Sequence, residues 1–152
     1  SSGMPDLTGL SISDVATAST LTLAADTISV VNYTGAAACA ATLPAATAGT
    51  VVIYCQSKDT TGGTATLSFD CAGSDVFATG SVIESRGSSE VTFDTSASGE
   101  TLLTFTPANA ATNLLTTGGQ IAFICYEDGT YHIATKLAAE TTQTTGAFVF
   151  AS

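Results

Sequence analysis

The side chains best able to do chemistry in this chain are one histidine, four cysteines and a scatter of aspartates. His132 is the only histidine, and Glu127 and Asp128 stand just before it. An imidazole beside a carboxylate can begin an acid–base pair, but no Ser or Cys nucleophile motif accompanies this one. GxSxG, HExxH and the phosphate-binding GxxxxGK[ST] are all absent from the sequence. His132 is therefore expected as a solvated side chain, on the strand face opposite Tyr131 and Ile133 and beside a tight turn. Cys39, Cys55, Cys71 and Cys125 form no CxxC pair, so a zinc site would need a cluster assembled over long range. Cys55 and Cys125 sit inside apolar runs and read as small core residues. The spacing admits a disulfide, which a chain of this size does not need. Asp59, Asp70 and Asp75 border loops but lack the DxDxDG spacing of a calcium loop. Asp75, in Gly73-Ser74-Asp75, reads as a turn residue bonded to its own backbone. Sugar recognition normally uses exposed aromatics. There is no Trp, which leaves Tyr33, Tyr54, Tyr126 and Tyr131. No catalytic, cofactor or metal site is expected.

These residues are carried by a chain of 152 residues, long enough for one domain with a real core. Charged residues are 11% of the total, about half the usual share. Thr, Ser, Ala and Gly fill the polar positions in their place. Such a surface suits partial cover by neighbouring molecules, and it also suits an ordinary Thr-rich β-domain. The formal charge is −10, and the only basic residues are Lys58, Arg86 and Lys136. Without a Lys/Arg cluster, direct binding to nucleic acid is not expected, because phosphate neutralisation supplies most of that affinity. An anionic membrane surface is disfavoured on the same ground. No apolar run approaches the length of a membrane span. The start, SSGMPDLTGL, has neither the basic nor the apolar segment of an export leader.

The pattern along the chain is that of strands. Residues 1–19 are small and polar, with Leu7, Leu10, Ile12 and Val15 scattered through them. They read as an N-terminal arm whose four apolar residues are the candidate partner contacts. Residues 20–152 read as a single β-domain. Its centre runs from Cys39 to Phe77. Pro44 ends a first run there, because it cannot donate to a ladder. Val51 to Cys55 is apolar on both faces, with Val51, Ile53 and Cys55 on one and Val52 and Tyr54 on the other, so it is expected deep in a sheet. Thr64 to Asp70 alternates, with Ala65, Leu67 and Phe69 inward. Further strands are expected at Thr20–Ala24, Ile28–Tyr33, on either side of Gly80, at Glu90–Asp94 with Val91 and Phe93 inward, and at Thr101–Thr106. Gln120–Tyr126 and Tyr131–Thr135 are joined by an Asp-Gly hairpin turn, and Ala147–Phe150 closes the chain. Residues 108–117 read as irregular. About nine or ten short strands at ten-residue intervals predict an all-β fold, a β-sandwich or jelly-roll-like domain with an extended N-terminal arm.

The runs LTLAADTISVVNYTGAAACAATLP, LPAATAGTVV and GGTATLSFDCAGSDVFATG resemble a recurring pattern of tailed-phage structural proteins. There a strand ending in LPAAT-x-G leads into an apolar strand, a Gly-rich loop, a short alternating strand and a GSD turn. The pattern occurs in head decoration (cement) proteins and in tail-fibre or tail-spike modules. The resemblance spans Leu21 to Gly80. The four cysteines and the region after Leu102 depart from it. It implies a virion structural protein without catalysis or cofactor, on the outer surface of the capsid. It also implies a homotrimer over junctions between subunits of the major capsid protein. Three functions follow for testing: a cement protein, a tail-fibre or adhesin-like module that binds a host-surface glycan, and, least favoured by the missing motifs, a small hydrolase.

Overall fold

The computed structural model describes residues 9–61, 63–86, 91–107, 115–136 and 147–152. Among these the chain is all-β, without a helix. Its strands are β1 (Gly9–Asp14), β2 (Ser19–Thr22), β3 (Thr27–Asn32), β4 (Cys39–Thr42), β5 (Val51–Gln56), β6 (Leu67–Asp70), β7 (Val76–Phe77), β8 (Val82–Arg86), β9 (Val91–Thr95), β10 (Leu102–Phe105), β11 (Gln120–Glu127), β12 (Thr130–Lys136) and β13 (Phe148–Ala151). They make a six-stranded sheet in the order β1-β3-β5-β11-β12-β7. A five-stranded sheet runs β13-β10-β6-β4-β2, and β8 and β9 form a ribbon.

The first half of the chain is wound, not folded back on itself. β1, β3 and β5 lie parallel in the larger sheet. β2, β4 and β6, which alternate with them in sequence, lie parallel in the smaller one. Each turn of this flattened coil therefore adds one strand to each sheet. A chain of hairpins, as ten-residue spacing suggests, would give antiparallel neighbours instead. The later strands close the sheets by antiparallel pairing, β11 on β5 and β12, and β10 on β6 and β13. The Asp-Gly turn between β11 and β12 is present, with Gly129 at φ +84°. Two turns of the coil touch at Gly63 (φ +101°), where any Cβ would strike the carbonyl oxygen of Gly35, so only glycine fits.

Inward-facing side chains from both large sheets meet in one core. Tyr54 of β5 stands edge-on to Phe69 of β6, with ring centres 5.1 Å apart, and Phe69 lies 5.1 Å from Phe123 of β11. Phe77 of β7 meets Phe150 of β13 at 5.5 Å. Such pairs add stabilisation beyond the area they bury. The buried hydroxyls have partners. Tyr54 donates to Gln56 Oε1 at 2.6 Å, Gln56 Nε2 donates to the carbonyls of Tyr33 and Lys58, and Tyr131 donates to the Pro44 carbonyl at 2.7 Å. In three of the rows the inner side chains shrink toward the first turn of the coil, whereas the row Phe69–Ala41–Leu21 ends in a leucine. The three run Tyr54–Ser29–Ser11, Gln56–Val31–Ser13 and Leu67–Cys39–Ser19.

Two expectations change. Residues 9–14, read as part of an arm, are the edge strand β1, and Val15 just beyond it is buried in the core. Phe93, expected inward, is 61% exposed. The ribbon turns its other side to the body. Ile83 is fully buried there, and the Asp94 carboxylate accepts the N–H of Phe150 at 2.9 Å. With period-2 alternation, that register leaves Phe93 outside. Leu7 and residues 108–114 lie outside the described residues.

Candidate functional site

The residues with reactive side chains are not brought together. His132 is half-buried on β12 and packs against the ring of Tyr126, with centres 4.8 Å apart. Asp128, its candidate partner, accepts the N–H of Ala48 at 2.9 Å instead. Asp75 accepts the N–H of Ala46 at 2.7 Å, which is a clip between distant loops, not a bond to its own turn. Asp59 accepts both the N–H and the hydroxyl of Thr117, at 2.7 and 3.0 Å. Asp70 ends β6 on an exposed position. These carboxylates fasten backbone amides, and a charge-assisted bond of that kind is stronger than a neutral one. Among the described residues, no three His, Cys, Asp or Glu side chains come together as a metal site would require.

The four cysteines are free thiols. Burial raises the Cys39 thiol to about 11. Burial, with Asp75 and Asp70 adding to it, raises Cys71 to about 12. Both are protonated near neutrality and hence poor nucleophiles. Cys125 is buried, and its thiol donates to the Glu127 carbonyl. Three of the four tyrosines, Tyr33, Tyr54 and Tyr131, are core residues, while Tyr126 is 69% exposed.

What the structure does assemble is a surface. The outward positions of the six-stranded sheet line up across its strands. One row reads Leu10, Ile28, Ile53, Ala122, Ala134. A second reads Ile12, Val30, Cys55, Gln120, Lys136. A third reads Val51, Ile124, His132. Leu10 is 68% and Ile12 80% exposed. Ile28, Val30, Val51, Ile53, Cys55, Ala122 and Ile124 are half-buried by one another. None of the three rows contains a carboxylate. The nearest is Asp26, just before β3, whose Oδ1 accepts the N–H of Val51 at 3.2 Å, and Asp14 accepts from Asn32 at 2.7 Å in the next row along the strands. Single exposed apolar residues are ordinary, but a contiguous patch of this kind marks a contact surface.

The site expectations divide over this face. Leu10 and Ile12 are on it and exposed. Val15 is in the core and cannot touch a partner from there. Ile28, Val30, Ile53 and Ile124 were missed as surface residues. The both-sided apolar run Val51 to Cys55, expected deep in a sheet, carries the signal for Ile53.

No family model, curated protein or solved structure matches the chain.

Proposed function

We propose that this chain is a non-enzymatic structural protein of a tailed-phage particle, a decoration or cement protein that binds the assembled head and clamps adjacent major capsid subunits. The observation that carries this reading is the breadth of sheet surface with few charged groups on a chain of net charge −10. Flat faces of methyl and hydroxyl groups suit close packing against neighbours, whereas catalysis needs convergent ionisable groups. The resemblance of Leu21 to Gly80 to phage structural proteins supplies the setting. The finer fold description that accompanies it is a sandwich of the two large sheets. In this reading the protein sits on the outer capsid surface as a homotrimer. Multiple copies let one modest contact act several times over. No helix among the described residues is long and apolar enough to cross a membrane.

The test is co-sedimentation of the purified chain with intact heads and, separately, with unassembled coat protein. Binding to heads alone supports the reading, and failure to bind intact heads removes it.

A second reading, a tail-fibre or adhesin-like module for a host-surface glycan, draws on Tyr126. Its exposed ring beside His132 at the end of the β11–β12 hairpin has the form of a sugar platform. A glycan array tests it, with Tyr126→Ala expected to abolish any signal.

A further inference from the structure

We propose that the aliphatic face of the six-stranded sheet is an interface between two copies of this chain, each covering the same face of the other. This goes beyond the virion reading and stands without it. Three features of the face select a second copy as the occupant.

The first is charge. At −10, two copies repel over most of their surfaces. The rows built on Leu10 and Ile12 carry no carboxylate, and the one beside Val51, Asp26, is engaged by the Val51 N–H at 3.2 Å, so like molecules can meet on this face without stacking acid on acid.

The second is area. The five strands that carry the rows, at the usual spacing and five residues of length, give a face of roughly 24 Å by 17 Å. Two such faces cover on the order of 800 Å² together, the size of a weak, reversible contact.

The third is the gradient of side-chain size. The first row falls from Leu10, Ile28 and Ile53 at the β1 side to Ala122 and Ala134 at the β12 side. A two-fold axis along the strands through β5 lays β1 over the partner's β12 and β3 over the partner's β11. Leu10 then meets the small Ala134, and Ile28 meets Ala122, so bulk on one copy fills the low ground of the other. Sheets packed this way stand about 10 Å apart with interleaved side chains. Ile53 and Cys55 fall at the axis, each facing its own counterpart.

The hydroxyl-bearing outer face of the five-stranded sheet lacks this gradient of aliphatic bulk. Its rows read Thr20, Ala40, Ser68, Thr104, Val149 and Thr22, Thr42, Asp70, Leu102, Ala151. Water solvates such a face well.

The experiment is sedimentation equilibrium on the full chain, with crosslinking by a short bismaleimide. The expected result is a dimer, or a hexamer where a three-fold contact also forms. Added salt should tighten it by screening the mutual repulsion. The bismaleimide should join two chains through Cys55, and Cys55→Ser should remove the crosslink while the dimer persists. Leu10→Asp and Ala134→Glu alter positions exposed in the single chain, so folding should survive in both, checked by circular dichroism. Each should raise the dissociation constant by about tenfold or more, since a charge is buried without a partner. Thr104→Asp, on the other sheet, should change nothing. A chain that stays monomeric at millimolar concentration overturns the proposal. So does an oligomer that withstands both Leu10→Asp and Ala134→Glu, or one that Thr104→Asp alone disrupts.

Discussion

The outward positions of β1, β3 and β5 are Leu10, Ile12, Asp14, Ile28, Val30, Asn32, Val51, Ile53 and Cys55, aliphatic but for Asp14, Asn32 and Cys55. Those of β2, β4 and β6, laid down by the same three turns of chain, are Thr20, Thr22, Ala40, Thr42, Ser68 and Asp70. Both sets occupy parallel strands, and both back onto the same aromatic core. Threonine favours a strand about as well as valine or isoleucine does, so the fold itself does not require aliphatic groups on either outer face. The difference must come from what lies outside. One face is rich in hydroxyls and the other in aliphatic groups, and the proposed self-contact rests on that contrast.

The largest effect should come from breaking the core that both sheets share. Phe69 touches Tyr54 and Phe123 across the interior. Phe69→Ala is expected to destabilise by about 3–5 kcal/mol, read by denaturant unfolding. An effect on one face alone would show that the sheets fold independently. Gly63→Ala comes next. It forces a Cβ onto the Gly35 carbonyl at a left-handed φ, and about 1–3 kcal/mol should be lost.

Alkaline pH should act on the core and spare both faces. Burial holds the Cys39 and Cys71 thiols at about 11 and 12 in the native chain. Unfolded thiols ionise from about 9. Their contribution is therefore whole below pH 9 and is lost as pH climbs from 9 toward 11 and 12. Burial likewise raises the phenols of Tyr33, Tyr54 and Tyr131 above the usual 10, so the loss should steepen beyond that pH. Melting temperature against pH checks the sign, and a Cys39→Ala/Cys71→Ala chain should lose less of its own stability between pH 9 and 10.

Exchanging the chemistry of the two faces should change fold stability least and behaviour most. Val30→Thr on the aliphatic face should alter unfolding free energy by about 1 kcal/mol or less and reduce binding of a hydrophobic dye. Thr104→Ile on the hydroxyl face should do the reverse, with similar stability and more dye bound. If the two exchanges shift dye binding in the same direction, the contrast between the faces has no physical content. Thiol labelling sharpens the contrast further. In the dissociated chain Cys55, half-buried on the aliphatic face, should react before Cys39, Cys71 and Cys125, which are buried, and self-association should slow it.

Much of the strand content was legible because alternation survives in the sequence. Leu103 with Phe105, and Phe123 with Ile121, point inward as their spacing indicates. β1 was not legible because its phase is inverted. The apolar Leu10 and Ile12 face out, while Ser11 and Ser13 lie on the inner side. Period-2 reading assigns the apolar set to the core, and here only Val15 obeys. The parallel winding was hidden for another reason. The turns of the coil differ in length, so no fixed repeat appears, and local pattern does not name a strand's partner. The contact face was half visible. Val51 to Cys55 announced two apolar sides, but sequence cannot say whether the second is covered by the same chain or by another molecule.

The rows that end in Ser11, Ser13 and Ser19 have a consequence for how the molecule can grow. A coil whose last turn exposed large apolar side chains would invite a further turn from another chain, and then another, into a filament. Here the inner side of the terminal turn carries Ser11, Ser13 and Ser19 with one leucine, Leu21, while Leu10 and Ile12 point to the outer face, and Ser11 is already bonded to Ser29. End-on addition of a further turn gains little from such a lip.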